Sequence, residues 1–230
     1  MLPLFLREIL LLIEQTGQIQ IAWFFSSVYT GNFEEFSLKL KNKLGESKVT
    51  QILSIPSDMP NEIPRLILSY PAFNLNVAKN RIDLFFKNIE STRSVISIVN
   101  DVILSELSLL VGRIGFVKNF FVDGNIENLK KLLKTEEVEK LNLKEINIRV
   151  SEKKLVMVYD CNNIESLSIG FIIRKEVGGH EVKKEGIIVR RDLNTMAEKI
   201  NENNFKKEEI NELIDAFDTE SNNFILAKWE

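Results

Sequence analysis

The chain is poor in the residue types from which most enzyme sites are built. Its 230 residues include one histidine, His180, and one cysteine, Cys161. A single cysteine cannot close an internal disulfide, which excludes a disulfide-stapled secreted fold. The same scarcity excludes a zinc site made of several His and Cys ligands. A histidine-dependent serine triad would have to use His180. Neither G-x-x-x-x-G-K-[ST] nor G-x-G-x-x-G occurs, so the common phosphate loops are missing. Gly112 and Gly115 come nearest, but they lie in a strand-like run where glycine marks a bulge or close packing.

Long apolar runs are also missing. The segment Met1–Ile13 is interrupted by Arg7 and Glu8, and neither a signal peptide nor a span of about 20 apolar residues is readable there. No Asn-x-Ser/Thr sequon occurs among 22 asparagines. The expectation is a cytoplasmic chain with no membrane association. An excess of one charge is absent too: 30 Lys+Arg stand against 33 Asp+Glu, a net −3. Residues 1–125 carry 12 basic and 12 acidic groups, and residues 126–230 carry 18 and 21. Neither part is a basic module, so nucleic acid is not indicated by charge, although a local patch is compatible with these numbers.

What is present is ordinary globular material, 44% hydrophobic and 27% charged. Apolar runs at 7–14 and 19–29 flank Thr16-Gly17 and predict a hairpin. Asn32 and Glu35 have capping-box spacing ahead of Phe33, Phe36, Leu40 and Leu44, which predicts a helix over 33–44 ending at Gly45. Strands are predicted at 49–55, 64–70, 73–77 and 81–86, with Pro56, Pro60 and Pro64 bracketing a loop. The 3–4 spacing of Val95, Val99, Val102, Ile103, Leu107 and Leu110 predicts a central helix over 91–110. Residues 111–122 read as a strand and 126–140 as a charged helical connector. Alternation then predicts four strands near 143–150, 154–159, 167–173 and 186–190, with turns at Asn162-Asn163 and Gly178-Gly179. Helices at 196–202 and 205–217 and a short strand at 224–229 close the chain. The class is α+β, antiparallel sheets with helices packed on them. The order of elements predicts two α+β halves, 1–125 and 141–230, joined by 126–140.

Candidate chemistry is thin. Cys161 and His180 fall in predicted turns, and Asp160 beside the thiol disfavours the thiolate. Asp160, Glu181 and Lys183 follow the loose order of a metal-dependent nuclease, in which acids hold magnesium and a lysine faces the phosphate. The pattern is short and common in a chain so rich in acids and lysines. Aromatics cluster at Trp23, Phe25 and Tyr29, and at Phe86 and Phe121. Neighbouring strand residues face opposite sides of a sheet, so one of each pair is core and the other is covered or offers a partner surface. Arg149, Arg174 and Arg190 make a modest basic concentration interleaved with glutamates.

The shortage of catalytic types favours binding over chemistry, with no cofactor indicated. The leading expectation is a non-catalytic cytoplasmic interaction protein of a bacterium or mobile element, acting as an accessory, inhibitor or specificity subunit or through self-association. A metal-dependent nuclease using Asp160, Glu181 and Lys183 is the first alternative. Nucleic-acid binding through the 149–191 sheet is the second.

Overall fold

A computed structural model describes residues 14–15, 18–132, 145–175 and 180–224. The predicted strand at 7–13, the turns at Thr16-Gly17 and Gly178-Gly179, the connector beyond residue 132 and the strand at 225–229 lie outside these residues. In chain order the elements are β1 Glu14–Gln15, β2 Ile19–Phe25, α1 Phe33–Leu44, β3 Val49–Ile52, β4 Leu66–Ser69, β5 Phe73–Val77 and β6 Arg81–Phe86. There follow α2 Arg93–Asp101, β7 Val111–Val122, α3 Ile126–Leu132, β8 Asn147–Val156, β9 Tyr159–Lys175, β10 Glu181–Thr195 and α4 Lys207–Ser221. All strand pairs are antiparallel.

The strands form one sheet in the order β3–β4–β5–β6–β2–β7–β10–β9–β8, with β1 pairing to β7 beside this path. The expectation of two halves is therefore corrected. β7 and β10 pair from Val122↔Ile187 to Gly115↔Asn194 and stitch the early strands to the late ones. β7 is almost wholly buried and, Lys118 apart, apolar on its helix side, so it is a central strand that gains by having a neighbour on both edges.

The four helices pack on one face. Their apolar residues Phe36, Leu40, Ile96, Val99, Ile210, Leu213 and Phe217 join Ile21, Trp23, Leu68, Leu84, Ile114 and Phe116 of the strands in one core. A second cluster around Phe120, Leu129, Ile148, Leu167 and Ile187 continues that face towards β8. Between them sits a polar layer. Arg191 is fully buried, donates to Glu165, and donates to Asn163 Oδ1 at 2.7 Å. Lys118 donates to Asp218 of α4 at 3.0 Å and to Asn222, which caps that helix, at 3.2 Å.

Local reading and structure agree for α1, whose cap Asn32 accepts from Glu34 N at 2.7 Å. The helix predicted over 91–110 is instead α2 followed by a π turn, Val102–Glu106. The helix predicted over 196–202 is a single 3-10 turn, Ala197–Lys199. The four predicted late strands are three long ones. The β8–β9 turn is at Met157-Val158, flanked by the pair Val156↔Tyr159, whereas Asn162 and Asn163 lie inside β9. Asn163 stays in the strand because its side chain is satisfied there, by Arg191 and by donating to Glu152 at 2.8 Å. Among the described residues no helix is long and apolar enough to cross a membrane.

Candidate binding face of the sheet

Among the described residues no helix packs on the other face of the sheet. Strand parity dictates what it presents. Residues opposite to Ile21, Trp23 and Ile114 are Gln20, Ala22 and Phe24 on β2, and Arg113, Gly115, Val117 and Asn119 on β7. Registers arrange these residues in rows. One row runs Asn76–Asp83–Ala22–Gly115–Asn194–Asn162–Lys153 from β5 to β8. A second runs Asn119–Arg190–Ser166–Arg149. A third, shorter row is Arg81–Phe24–Arg113.

In that third row the Phe24 ring lies between two guanidinium groups. Arg113 Cζ is 4.6 Å from the ring centroid and Arg81 Cζ 5.6 Å, both within cation–π range. Arg113 is fixed further. Its Nε donates to the Thr195 carbonyl at 3.1 Å and its Nη2 to Asn194 Oδ1 at 2.7 Å. Both acceptors are neutral, and among the described residues no carboxylate forms an ion pair with Arg113. Burial lowers its pKa, offset by Asp192 and reinforced by the like charge of Arg81. Arg81 donates to Asp83 at 2.8 Å, and Gln20 Nε2 donates to the same carboxylate at 2.8 Å. Burial of Asp83 outweighs these partners and raises its pKa. Arg190 meets Asp192 only at 3.9 Å, with half its side chain exposed. A recess of about 150 Å³ lies over this cluster, floored by Ala22, Gly115 and Val117 and walled by Phe24, Arg113, Arg190 and Asp192.

The structure brings some expected site residues together and separates others. Arg149 and Arg190 share the helix-free face, one strand apart across Ser166, and both are exposed. The backbone of Arg174 pairs with Val182 farther along the β9–β10 ribbon. The aromatic surface is corrected: Trp23, Phe25, Tyr29, Phe86 and Phe121 are all buried. Trp23 Nε1 donates to Asn100 Oδ1 at 2.8 Å beneath α2, which spends its polar group inside the core. The half-buried aromatics on the helix-free side are instead Phe24 and Phe85, while Phe121, which shares the strand parity of Val117 and Asn119, lies on that side but is buried. Alternation announced that one of each pair would face that way; which one depended on where the helices pack.

The nuclease set is also corrected. Asp160 pairs with Leu155 at the start of β9, and Glu181 pairs with Lys175 at its end. At about 3.3 Å per residue these carboxylates lie roughly 50 Å apart along one strand, too far to share a metal ion. Among the described residues no three His, Cys, Asp or Glu side chains gather at metal-binding distance. Cys161 and His180 are separated in the same way. Cys161 is buried beside Thr195, and His180 is exposed ahead of β10. No protein-family model matches this chain, and no curated protein matches it either.

Proposed function

We propose that the protein is a non-catalytic binding protein that holds single-stranded nucleic acid on the helix-free face of its sheet. The observation that carries this reading is the Arg81–Phe24–Arg113 row set beside Arg149–Ser166–Arg190. Five cations, Arg81, Arg113, Arg149, Lys153 and Arg190, project on a face where Asp83 and Asp192 each already engage an arginine or an amide; Asp160, opposite Leu155, and Glu198, near Arg113, are the other carboxylates close to these cations. Between the cations lie asparagines, serines and small residues, which offer donors and acceptors to base edges without blocking approach. A duplex hides its base edges in grooves, whereas a single strand can lay its bases against a sheet and its phosphates against flanking arginines. The whole chain is acidic, so attraction depends on this one face and falls with salt.

Fluorescence anisotropy with oligothymidylate and oligouridylate, titrated across salt, tests the reading. Binding is expected at low salt with a negative log–log slope. Arg149→Glu and Arg190→Glu should weaken it by about tenfold or more, since each reverses a charge at the phosphate path. Both side chains are exposed, so far-UV circular dichroism should not change. Absence of binding at low salt, or binding indifferent to salt and to both reversals, rejects the reading.

A protein partner is the second reading, now on different residues. Phe171 and Ile173 stand 52% and 60% exposed on the β9–β10 ribbon, beyond the last partners of β7 and β8. Phe171→Ser/Ile173→Ser would abolish self-association detected by light scattering; a protein that is monomeric before and after the change counts against it.

A further inference from the structure

The recess over Gly115 differs from the rest of the face in shape and in charge balance. At about 150 Å³ it is too small for a nucleoside, whose pockets begin near 300 Å³. It is large enough for one tetrahedral oxyanion. Its walls hold Arg113, whose two hydrogen bonds go to neutral oxygens and leave Nη1 without a hydrogen bond among the described residues. Stacking on Phe24 and these two bonds hold the guanidinium plane in place before any ligand arrives. Arg190 lies on the other side, held only loosely by Asp192 at 3.9 Å. Arg81 adds its charge from behind the Phe24 ring. A desolvated guanidinium without a carboxylate partner is costly unless an anion completes it.

We propose that this recess is a subsite for the terminal phosphate of a bound strand, gripped by Arg113 and Arg190. The inference rests on the strand-binding reading and adds an end preference to it. An internal phosphodiester carries one charge and enters with sugar on both sides. A terminal monoester enters from one side and carries close to two negative charges at neutral pH, which suits a small recess lined by several guanidinium groups. Gly115 is what leaves the space. A β-carbon there would meet Phe24, Ala22 and Asn194 at ordinary contact distances of 3.5–3.9 Å, so the fold accepts an added β-carbon, which would rise into the floor.

The test compares oligothymidylates identical except for a 5′ phosphate, a 3′ phosphate or neither. One phosphorylated end should bind about tenfold or more tightly than the bare strand, as two charge-assisted contacts imply. Arg113→Gln, Arg190→Gln and Gly115→Val should each bring that ratio close to one, the two arginine variants while also weakening the bare strand, because both arginines belong to the strand-binding face. Lys153→Gln, on the same face but outside the recess, should weaken both strands together and keep the ratio. Gly115→Val leaves every charge in place, and Arg190 is exposed, so a folding defect in Arg113→Gln would not obscure the result. Equal affinity with and without an end phosphate overturns the subsite and leaves the strand-binding reading standing. Binding of inorganic phosphate with no binding of any strand overturns the strand-end assignment and the strand-binding reading together. No binding of strand or phosphate overturns both as well.

Discussion

Cys161 shows how a residue that looks reactive by scarcity is made inert by its place. Burial pushes its pKa up to about 12, and the adjacent Asp160 adds to the shift. At pH 8 the thiolate fraction is then about a thousandfold below that of a free cysteine. An aromatic disulfide reagent should leave the native protein unmodified and should modify one thiol per chain after denaturation; rapid labelling of the native state would contradict the burial. Asp83 is the opposite case, an acid kept in a costly place. Its folded pKa lies above its ordinary value because burial outweighs Arg81 and Gln20. A raised carboxylate pKa means that the folded state holds the proton more tightly than the unfolded chain does. That contribution is complete below the unfolded pKa and is lost as pH rises through the folded one. Asp83→Asn should therefore gain stability relative to the parent across that interval and hold a constant difference above it. Denaturant midpoints measured from pH 3 to 8, as is convenient for carboxylates near ~4, would read this, and a difference that falls with pH would contradict it.

At the scale of elements, legibility followed the range of the interactions. α1 was readable because its signals are local: Asn32 caps, Phe36 and Leu40 lie on one face, and Gly45 takes φ 81° at the end. β5 and β6 were readable because their alternation is uninterrupted. The β8–β9 turn was not. Its residues are apolar, and the better turn signal, Asn162-Asn163, is claimed by a buried partner, Arg191, 28 residues from Asn163 in the chain. The binding face was half readable in the same sense. Arg149 and Arg190 were visible as charge, while Phe24, Arg81 and Arg113 became a group only when the β2–β6 and β2–β7 registers brought them into one row. The misplaced turn has an energetic trace. Met157 sits at φ 56°, a left-handed conformation that costs a side-chain-bearing residue about 1–2 kcal/mol. Met157→Asn, a residue that tolerates this region, should stabilise the protein by about 0.5–1 kcal/mol in urea denaturation. An equal loss would show that the half-exposed Met157 side chain packs more firmly than its exposure indicates.

At the scale of the whole molecule, the single sheet changes what unfolding should look like. Two α+β halves joined by a connector would each own a core and could melt separately. Here the main core draws on both ends of the chain. Trp23 and Phe36 pack in the same cluster as Leu193, Cys161 and the α4 residues Ile210 and Phe217. Removing the later strands would leave β7 with an open edge and strip α4 from the face that covers it. Partial unfolding would therefore expose apolar surface on both sides of the break at once, the condition under which a transition becomes all-or-none. Two probes sit on opposite sides of the supposed boundary. In a Trp229→Phe variant, tryptophan emission reports Trp23 alone, in β2. Labelling of Cys161 reports β9. The two should lose protection at the same denaturant concentration and with the same slope, since both depend on one cooperative unit. Emission of Trp23 that survives after Cys161 has become reactive would mean that the early strands keep a core of their own, and that the continuous hydrogen-bonded sheet is not a single energetic unit.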